Sequence, residues 1–505
     1  MIAPVKISLT PKGFYFIIFL FSVYFLYFKI PFPWTDDLYF KIAGYCMSKG
    51  LGFSAEALKG VGLGVEKLFV LYPPLYPFLY GVWFLIFGFS ITSSLSLSLL
   101  ICGLIAYFLL QLFRNALGDP LPHNVYALVF FAWTLAVSAI DRPDPLYVMF
   151  GLMILLVIET RLKQKSDLPT HLLIAVLLGL SISTSPVIAI LMLPVIFPFY
   201  MNVTGWSKKS FLSFIAIVLG ALLLSISIWL FVIIKNPSLF KHQFLVTFLT
   251  QSSRPLTIAS FTEGMRFVIK HGYFLFYLPV ILFLIIMSTA SLWTRLNIRS
   301  GLSTAWPFIS LVAIWIFLIV KVQAKYTYLN MCAIFMLLVI GVRFVKVVSL
   351  IRNSNVIRLL NATLMLGLFI ATVPFWRTVL MPMTWDKYDS YGFNGKKILD
   401  LIPKGSKVLT HVRFWYLFDT SYKIYDAWFS HESIYEADYI LLPSGGGGKP
   451  DVAWIPFLDN KELKYLKENY VLTASTFIGL ANNLFGLNIA NSRWSYRFQL
   501  YERKK

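Results

Sequence analysis

The stretch FYFIIFLFSVYFLYFKIPFPWTDDLY, residues 14–39, decides how the rest of the chain is read. From Phe14 to Phe28 no side chain is charged, and Lys6 and Lys12 precede the run. With its flanks, segment 13–30 approaches the roughly 20 apolar residues that a helix needs to cross a bilayer. Lys29-Ile30-Pro31-Phe32-Pro33 follows, where a cleaved signal peptide would carry small residues, so an uncleaved first helix is expected. Asp36 and Asp37 come next, side by side. Carboxylates beside a bilayer are costly, which makes this pair the first candidate for chemistry.

Composition agrees with that start. Hydrophobic residues make up 58% of the chain and charged residues 13%, against about 25% charged in soluble domains. This is a polytopic α-helical membrane protein, and soluble globular classes are excluded. The net charge of +21 does not indicate nucleic acid, because the basic residues lie mostly in short loops between apolar segments. There they act as topology signals and favour anionic lipid head groups. Cys46, Cys102 and Cys332 are far apart, and the last two fall inside apolar segments. They form neither a disulfide framework nor a Cys/His zinc spacing.

About eleven transmembrane helices are expected, over 13–30, 91–113, 124–140, 145–161, 170–185, 187–200, 211–234, 272–293, 302–320, 326–344 and 357–376. The pair between 170 and 200 carries Pro186, Pro194 and Pro198 and also reads as one broken unit. A further stretch, 75–89, is too short to span at about 1.5 Å per residue. Arg161, Lys163 and Lys165 mark one inside loop, Lys208 and Lys209 a second, Arg295 and Arg299 a third, and Arg343, Lys346, Arg352 and Arg358 a last. With the N-terminus inside, these loops share one side only if 75–89 does not cross, so it reads as an interfacial or re-entrant helix. Asp36, Asp37, Asp141, Asp144, the loop 235–271 and the C-terminus then face the outer side.

After Arg377 long apolar runs stop and charges become frequent. The expected division is a transmembrane domain over 1–376, with an outer loop over 31–90, and a small extracytoplasmic α/β domain over 377–505. Helices are expected at Lys396 to Leu401 and Leu458 to Asn469, and strands at Lys407 to Thr410, Tyr439 to Leu442 and Phe498 to Tyr501. Ser444-Gly445-Gly446-Gly447-Gly448 reads as a flexible turn, since it lacks the Lys-Ser/Thr of a phosphate loop.

Four clusters can carry chemistry. Asp36-Asp37 reads either as a polar collar ending the first helix or as a general base at the membrane surface, with Asp36 placed to cap the helical pattern that follows. Asp141-Arg142-Pro143-Asp144-Pro145 is at least a proline-broken hairpin between helices. In Tyr72-Pro73-Pro74-Leu75-Tyr76-Pro77 the prolines forbid an early helix start, and Tyr72 and Tyr76 read as interfacial anchors or as pocket-lining rings. Finally, Lys235, Lys241, His242, Arg254, Arg266, Lys270 and His271 gather outer-side positive charge against the usual trend, as an anionic ligand would require.

In their order, Trp34-Thr35-Asp36-Asp37-Leu38-Tyr39, Gly50-Leu51-Gly52-Phe53 and Tyr72-Pro73-Pro74-Leu75-Tyr76-Pro77 resemble the opening of the GT-C glycosyltransferases. The protein O-mannosyltransferase and aminoarabinose-transferase types look most alike, and the match covers the first ~160 residues best. The resemblance implies an integral membrane enzyme that moves a sugar from a polyprenyl-phosphate carrier to an acceptor on the outer face. The acceptor would be a glycan, lipid or protein. Asp36 matches the family's catalytic aspartate, with Asp37 beside it in the site. Asp144 matches the acidic residue of an arginine-proline-aspartate corner that lines the active site, with Asp141 and Arg142 behind it.

Lys325-Tyr326 looks like the counterpart of a family arginine-tyrosine pair that opens a helix. A lysine there binds phosphate as a point charge, without bidentate geometry. Arg254, Arg266 and Lys270 would join it on the leaving phosphate. The chain departs from the aminoarabinose branch at Leu71-Tyr72, where those relatives carry glutamate-lysine. That weakens the case for that sugar and for that branch's metal site, so a divalent metal is left open. The family places the protein in the bacterial cytoplasmic membrane, with an undecaprenyl carrier and a cell-envelope acceptor. A dolichyl carrier in the endoplasmic reticulum stays open. The competing class is a membrane transporter or a flippase of lipid-linked sugars. It would show inverted repeats and midplane charges, whereas here the acidic residues cluster at one surface.

Overall fold

The computed structural model describes residues 10–30, 35–61, 63–140, 142–252, 326–380, 391–418, 421–427, 431–444, 460–478 and 496–504, with isolated positions at 257, 259, 262–263, 266, 382, 483–484 and 487–488. Among these, six helices are long and apolar enough to cross a membrane: Pro11–Phe28 (α1), Ile91–Leu117 (α4), Asp144–Leu162, Lys208–Ile233 (α9), Met331–Leu350 and Ser354–Ala371. Three further helices stand where spans are expected, His123–Val137 (α5), Leu168–Thr184 (α7) and Pro186–Thr204 (α8). Expected spans 272–293 and 302–320 lie outside the described residues, as does the glycine run 445–448.

The chain forms two compact units. One holds residues 1–22, 98–230 and 248–375. Its core is α5, where Trp133 is fully buried beside Phe375, with ring centres 5.6 Å apart. Asp144–Val157 (α6) continues into a single wide turn, Ile158–Leu162. Glycine lets helices in this unit approach closely: a Cβ at Gly179 of α7 would lie 2.8 Å from the Ala221 carbonyl oxygen of α9. Next to that contact the Ser183 hydroxyl donates to Ser225 Oγ at 3.0 Å. The pair 170–200 is two helices, broken at Ser185-Pro186, and Pro194 and Pro198 sit inside the second. Tyr326–Leu350 (α11) runs past the expected boundary, so Arg343 and Lys346 are helical residues, not a loop, and Arg343 is buried.

The other unit holds residues 23–97, 231–247 and 376–505. Thr35–Ser48 (α2) and Leu75–Phe87 (α3) pack tightly in it: a Cβ at Gly44 would strike the Pro77 carbonyl. Helix α3 starts just after Pro73-Pro74, as the proline restriction requires. Its 13 residues rise about 20 Å, short of a bilayer core. The loop expected over 235–271 instead contains a helix, Pro237–Ser252 (α10), with the Asn236 side chain accepting from the Leu239 N–H at 3.2 Å.

The C-terminal segment carries a five-stranded sheet ordered β2-β1-β3-β7-β4. The strands are Lys407–Thr410 (β1), Lys423–Asp426 (β2), Tyr439–Ser444 (β3), Tyr470–Ile478 (β4) and Tyr496–Arg503 (β7), and a minor hairpin pairs Asn483–Leu484 (β5) with Leu487–Asn488 (β6). Strands β2, β1 and β3 are parallel, with Thr410 level with Asp426, and β7 runs antiparallel between β3 and β4. Helices Tyr391–Leu399 and Asn460–Asn469 flank it in sequence. Leu409, Ile440, Leu442, Leu466 and Tyr470 share its core, and burial pushes the Tyr470 phenol up to about 12. Sequence patterning locates β1, β3 and part of β7 but misses β2 and β4.

Candidate functional site

Asp36 and Asp37 are the second and third residues of α2. The helix begins at Thr35, so both aspartates stand in its first turn. Acidic side chains there are favoured by the helix dipole.

Contacts further along α2 hold the helix in place. The Tyr39 hydroxyl donates to Asp426 Oδ2 at 2.8 Å. Asp426, the last residue of β2, is fully buried, and Tyr39 is 6% exposed. Two residues on, Lys41 is 1% exposed, which is rare for lysine. Its ammonium donates to Ser94 Oγ at 2.8 Å and lies 4.5 Å from the centre of the Tyr80 ring. Tyr416, in the C-terminal segment, donates to the same Ser94 oxygen at 2.8 Å. A buried cation demands compensation. Asp37 stands four residues before Lys41, the spacing at which helical ion pairs form.

The tyrosines of the proline-rich stretch pack around this helix. Tyr72 is half-buried, 4.3 Å from the Phe40 ring. Tyr76 is buried in an aromatic row with Tyr80, 4.7 Å away. The row places Tyr76 in the α2–α3 packing. Gln243 of α10, also fully buried, ties down the loop between them. It accepts from the Val70 N–H at 2.8 Å and donates to the Leu63 and Leu68 carbonyls at 3.0 and 2.7 Å.

The second acidic corner belongs to the other unit. Asp144 opens α6 behind Pro143 and is 1% exposed. Arg142 Nε donates to its Oδ2 at 2.7 Å, so this carboxylate has its counter-charge two residues away. Asp141 lies outside the described residues, as do Arg254, Lys270, His271 and Lys325. Arg266, Lys241 and His242 are exposed. Tyr326 is the first residue of α11. Among the described residues, no group of three or more His, Cys, Asp or Glu is placed to hold a metal ion.

The structure thus gathers Asp36, Asp37, Tyr72 and Tyr76 on one helix pair and the turn that enters it. It adds four residues that sequence reading passes over: Tyr39, Lys41, Gln243 and Asp426. Only Lys41 leaves a signal, as a lone cation inside Leu38-Tyr39-Phe40-Lys41-Ile42 at helical spacing from Asp37.

This architecture is the GT-C membrane fold. No family model and no curated protein matches the chain. Among solved structures it is similar to ArnT from Cupriavidus metallidurans bound to undecaprenyl phosphate, with a TM-score of 0.58 and 11% identity over 97% of this chain and 98% of that one. The apo state of the same protein aligns over the same shares at 0.51 and 12%. The archaeal oligosaccharyltransferase AglB from Archaeoglobus fulgidus, in complex with an inhibitory peptide and a dolichol-phosphate, aligns at 0.41 and 11% over 86% of this chain and 70% of that one.

Proposed function

We propose that this protein is an inverting glycosyltransferase that moves a sugar from a polyprenyl-phosphate carrier to an acceptor on the outer face of the membrane. The observation that carries the reading is the position of Asp36-Asp37 in the first turn of a helix that follows a spanning helix, in a chain whose fold aligns end to end with a protein that binds undecaprenyl phosphate.

Asp36 is the general base. It takes the proton from the acceptor hydroxyl as that oxygen attacks the anomeric carbon, and polyprenyl phosphate leaves. One displacement inverts the anomeric centre and needs no covalent sugar–enzyme intermediate. Lys325, Arg254, Arg266 and Lys270 are the cations the sequence offers for the developing phosphate charge. Asp144 is not assigned the base role, because Arg142 already holds its carboxylate.

The test is release of free polyprenyl phosphate by purified protein in lipid, offered a panel of polyprenyl-phosphate sugars with crude membrane extract as acceptor. Release by wild type but not by Asp36→Asn supports both the reaction and the base. Equal release by both proteins removes Asp36 as base. A retained anomeric configuration in the product overturns the single displacement.

A further inference from the structure

A cavity of about 500 Å³ opens within the unit that contains α2, at the far end of that helix from Asp36. Its walls are the C-terminal half of α2 with the loop after it, Phe89 between α3 and α4, and the segment around β2. Along α2 its lining begins at Ile42, six residues or about 9 Å beyond Asp36, and ends at Lys49, so the cavity lies more than one helical turn from the first turn of the helix.

Its lining is chemically specific. Tyr45, Phe89, Trp415 and Tyr422 supply aromatic surface, with the Tyr45 and Phe89 rings 4.3 Å apart. The Trp415 side chain is buried, and among the described residues its indole N–H has no hydrogen-bond partner, which leaves a donor at the cavity wall. Lys49, Lys423 and Glu56 supply the charges. The Lys423 ammonium is 3.9 Å from the Glu56 carboxylate, and both side chains are about half exposed, so this pair is weak and open to exchange. Lys49 Nζ sits 5.8 Å from the centre of the Tyr45 ring. Two lysines against one glutamate leave the cavity with an excess of positive charge. Cys46 adds no nucleophile, since burial pushes its thiol up to about 11.

Aromatic walls with a few polar groups between them suit a ligand that is apolar on its ring faces and polar at its rim. A pyranose has that pattern, and the net positive charge selects one bearing a carboxylate. We infer that this cavity is a binding site for a uronate-type, anionic sugar unit. A second sugar of a glycan acceptor is the natural occupant. That assignment to the acceptor rests on the transferase reading, whereas saccharide binding by itself does not.

The test uses the full chain in lipid nanodiscs on an array of immobilised oligosaccharides, neutral and uronate-bearing. The expected result is retention on uronate-bearing glycans at least about tenfold above neutral ones. Lys49→Ala with Lys423→Ala should lower it about tenfold, because both lysines are exposed and can be removed without unfolding the cavity. Tyr422→Ala should lower neutral and acidic binding alike. Absence of saccharide retention overturns the site, and so does retention that all three substitutions leave unchanged. Preference for neutral glycans overturns the anionic class. The same preparations are assayed for polyprenyl phosphate release: binding without release counts against the transferase alone, and release without binding against the cavity alone.

Discussion

The two acidic corners of this protein look alike in sequence and differ in how they are held. Asp36-Asp37 and Asp144 each stand in the first turn of a helix, with a proline shortly before them in sequence. At the second corner the charge is neutralised locally, by Arg142 at 2.7 Å, and the pair is nearly sealed from solvent. At the first, the helix is anchored by partners far along the chain: Ser94 and Asp426 reach α2 directly, and Tyr416 meets it through Ser94. A carboxylate already matched by its neighbour is fitted to hold a turn. A carboxylate on a helix braced by distant partners, with no arginine beside it in sequence, is the one proposed to react.

The strongest way to break that contrast is to neutralise each carboxylate in turn. Asp36→Asn should lower polyprenyl phosphate release by about 10²–10⁴-fold, the range for loss of a general base, while thermal stability stays within about 0.5 kcal/mol of wild type. If Asp144→Asn gives the same loss of activity with unchanged stability, the two corners share one role and the contrast fails.

Stability should respond in the opposite order. Arg142→Ala leaves the Asp144 carboxylate buried and uncompensated, which should cost about 3–5 kcal/mol. It would be seen as a lowered unfolding temperature in detergent. Arg142→Met combined with Asp144→Leu removes both charges and should recover most of that loss. Failure of the double variant to recover would mean that the corner needs its charges for more than mutual compensation.

Legibility in the sequence divides along the same line, local against distant. The Arg142-Pro143-Asp144 corner can be read because its two charged partners stand two residues apart. The Pro73-Pro74 start of α3 is legible because proline acts on its own neighbours. The spanning helices announce themselves through length and hydropathy. Strand β2 does not, since Lys423-Ile424-Tyr425-Asp426 is short and ends in a charge, and it is a strand because β1 pairs with it. Asp426 is illegible for the same reason: nothing near it in sequence says that it is fully buried against a tyrosine of α2. Gln243 sits in what composition marks as a loop.

Gln243 gives the next test. Gln243→Leu leaves the Val70 N–H and the Leu63 and Leu68 carbonyls without their side-chain partner, at roughly 1–3 kcal/mol for each group that finds no water. Limited proteolysis between residues 62 and 70 should accelerate. Unchanged cleavage would show that the α2–α3 connection is held by its apolar residues alone.

The smallest expected effect is the most discriminating. Tyr39→Phe deletes one hydroxyl donated to Asp426, a bond to a carboxylate worth about 1.5–3 kcal/mol. If the bond only stabilises the fold, Tyr39→Phe, Asp426→Asn and the double variant should all unfold earlier while kcat for the folded fraction is unchanged. If α2 must be held in place for Asp36 to reach the acceptor proton, kcat should fall several-fold with little change in KM for the donor. The double variant should then be no worse than the worse single one, because both act on the same bond, Tyr39→Phe by deleting its donor and Asp426→Asn by removing the charge of its acceptor. The hydroxyl and carboxylate come from positions 387 residues apart and meet one turn beyond the proposed base, so additive losses would sever the sheet from the chemistry and leave the first corner as self-contained as the second.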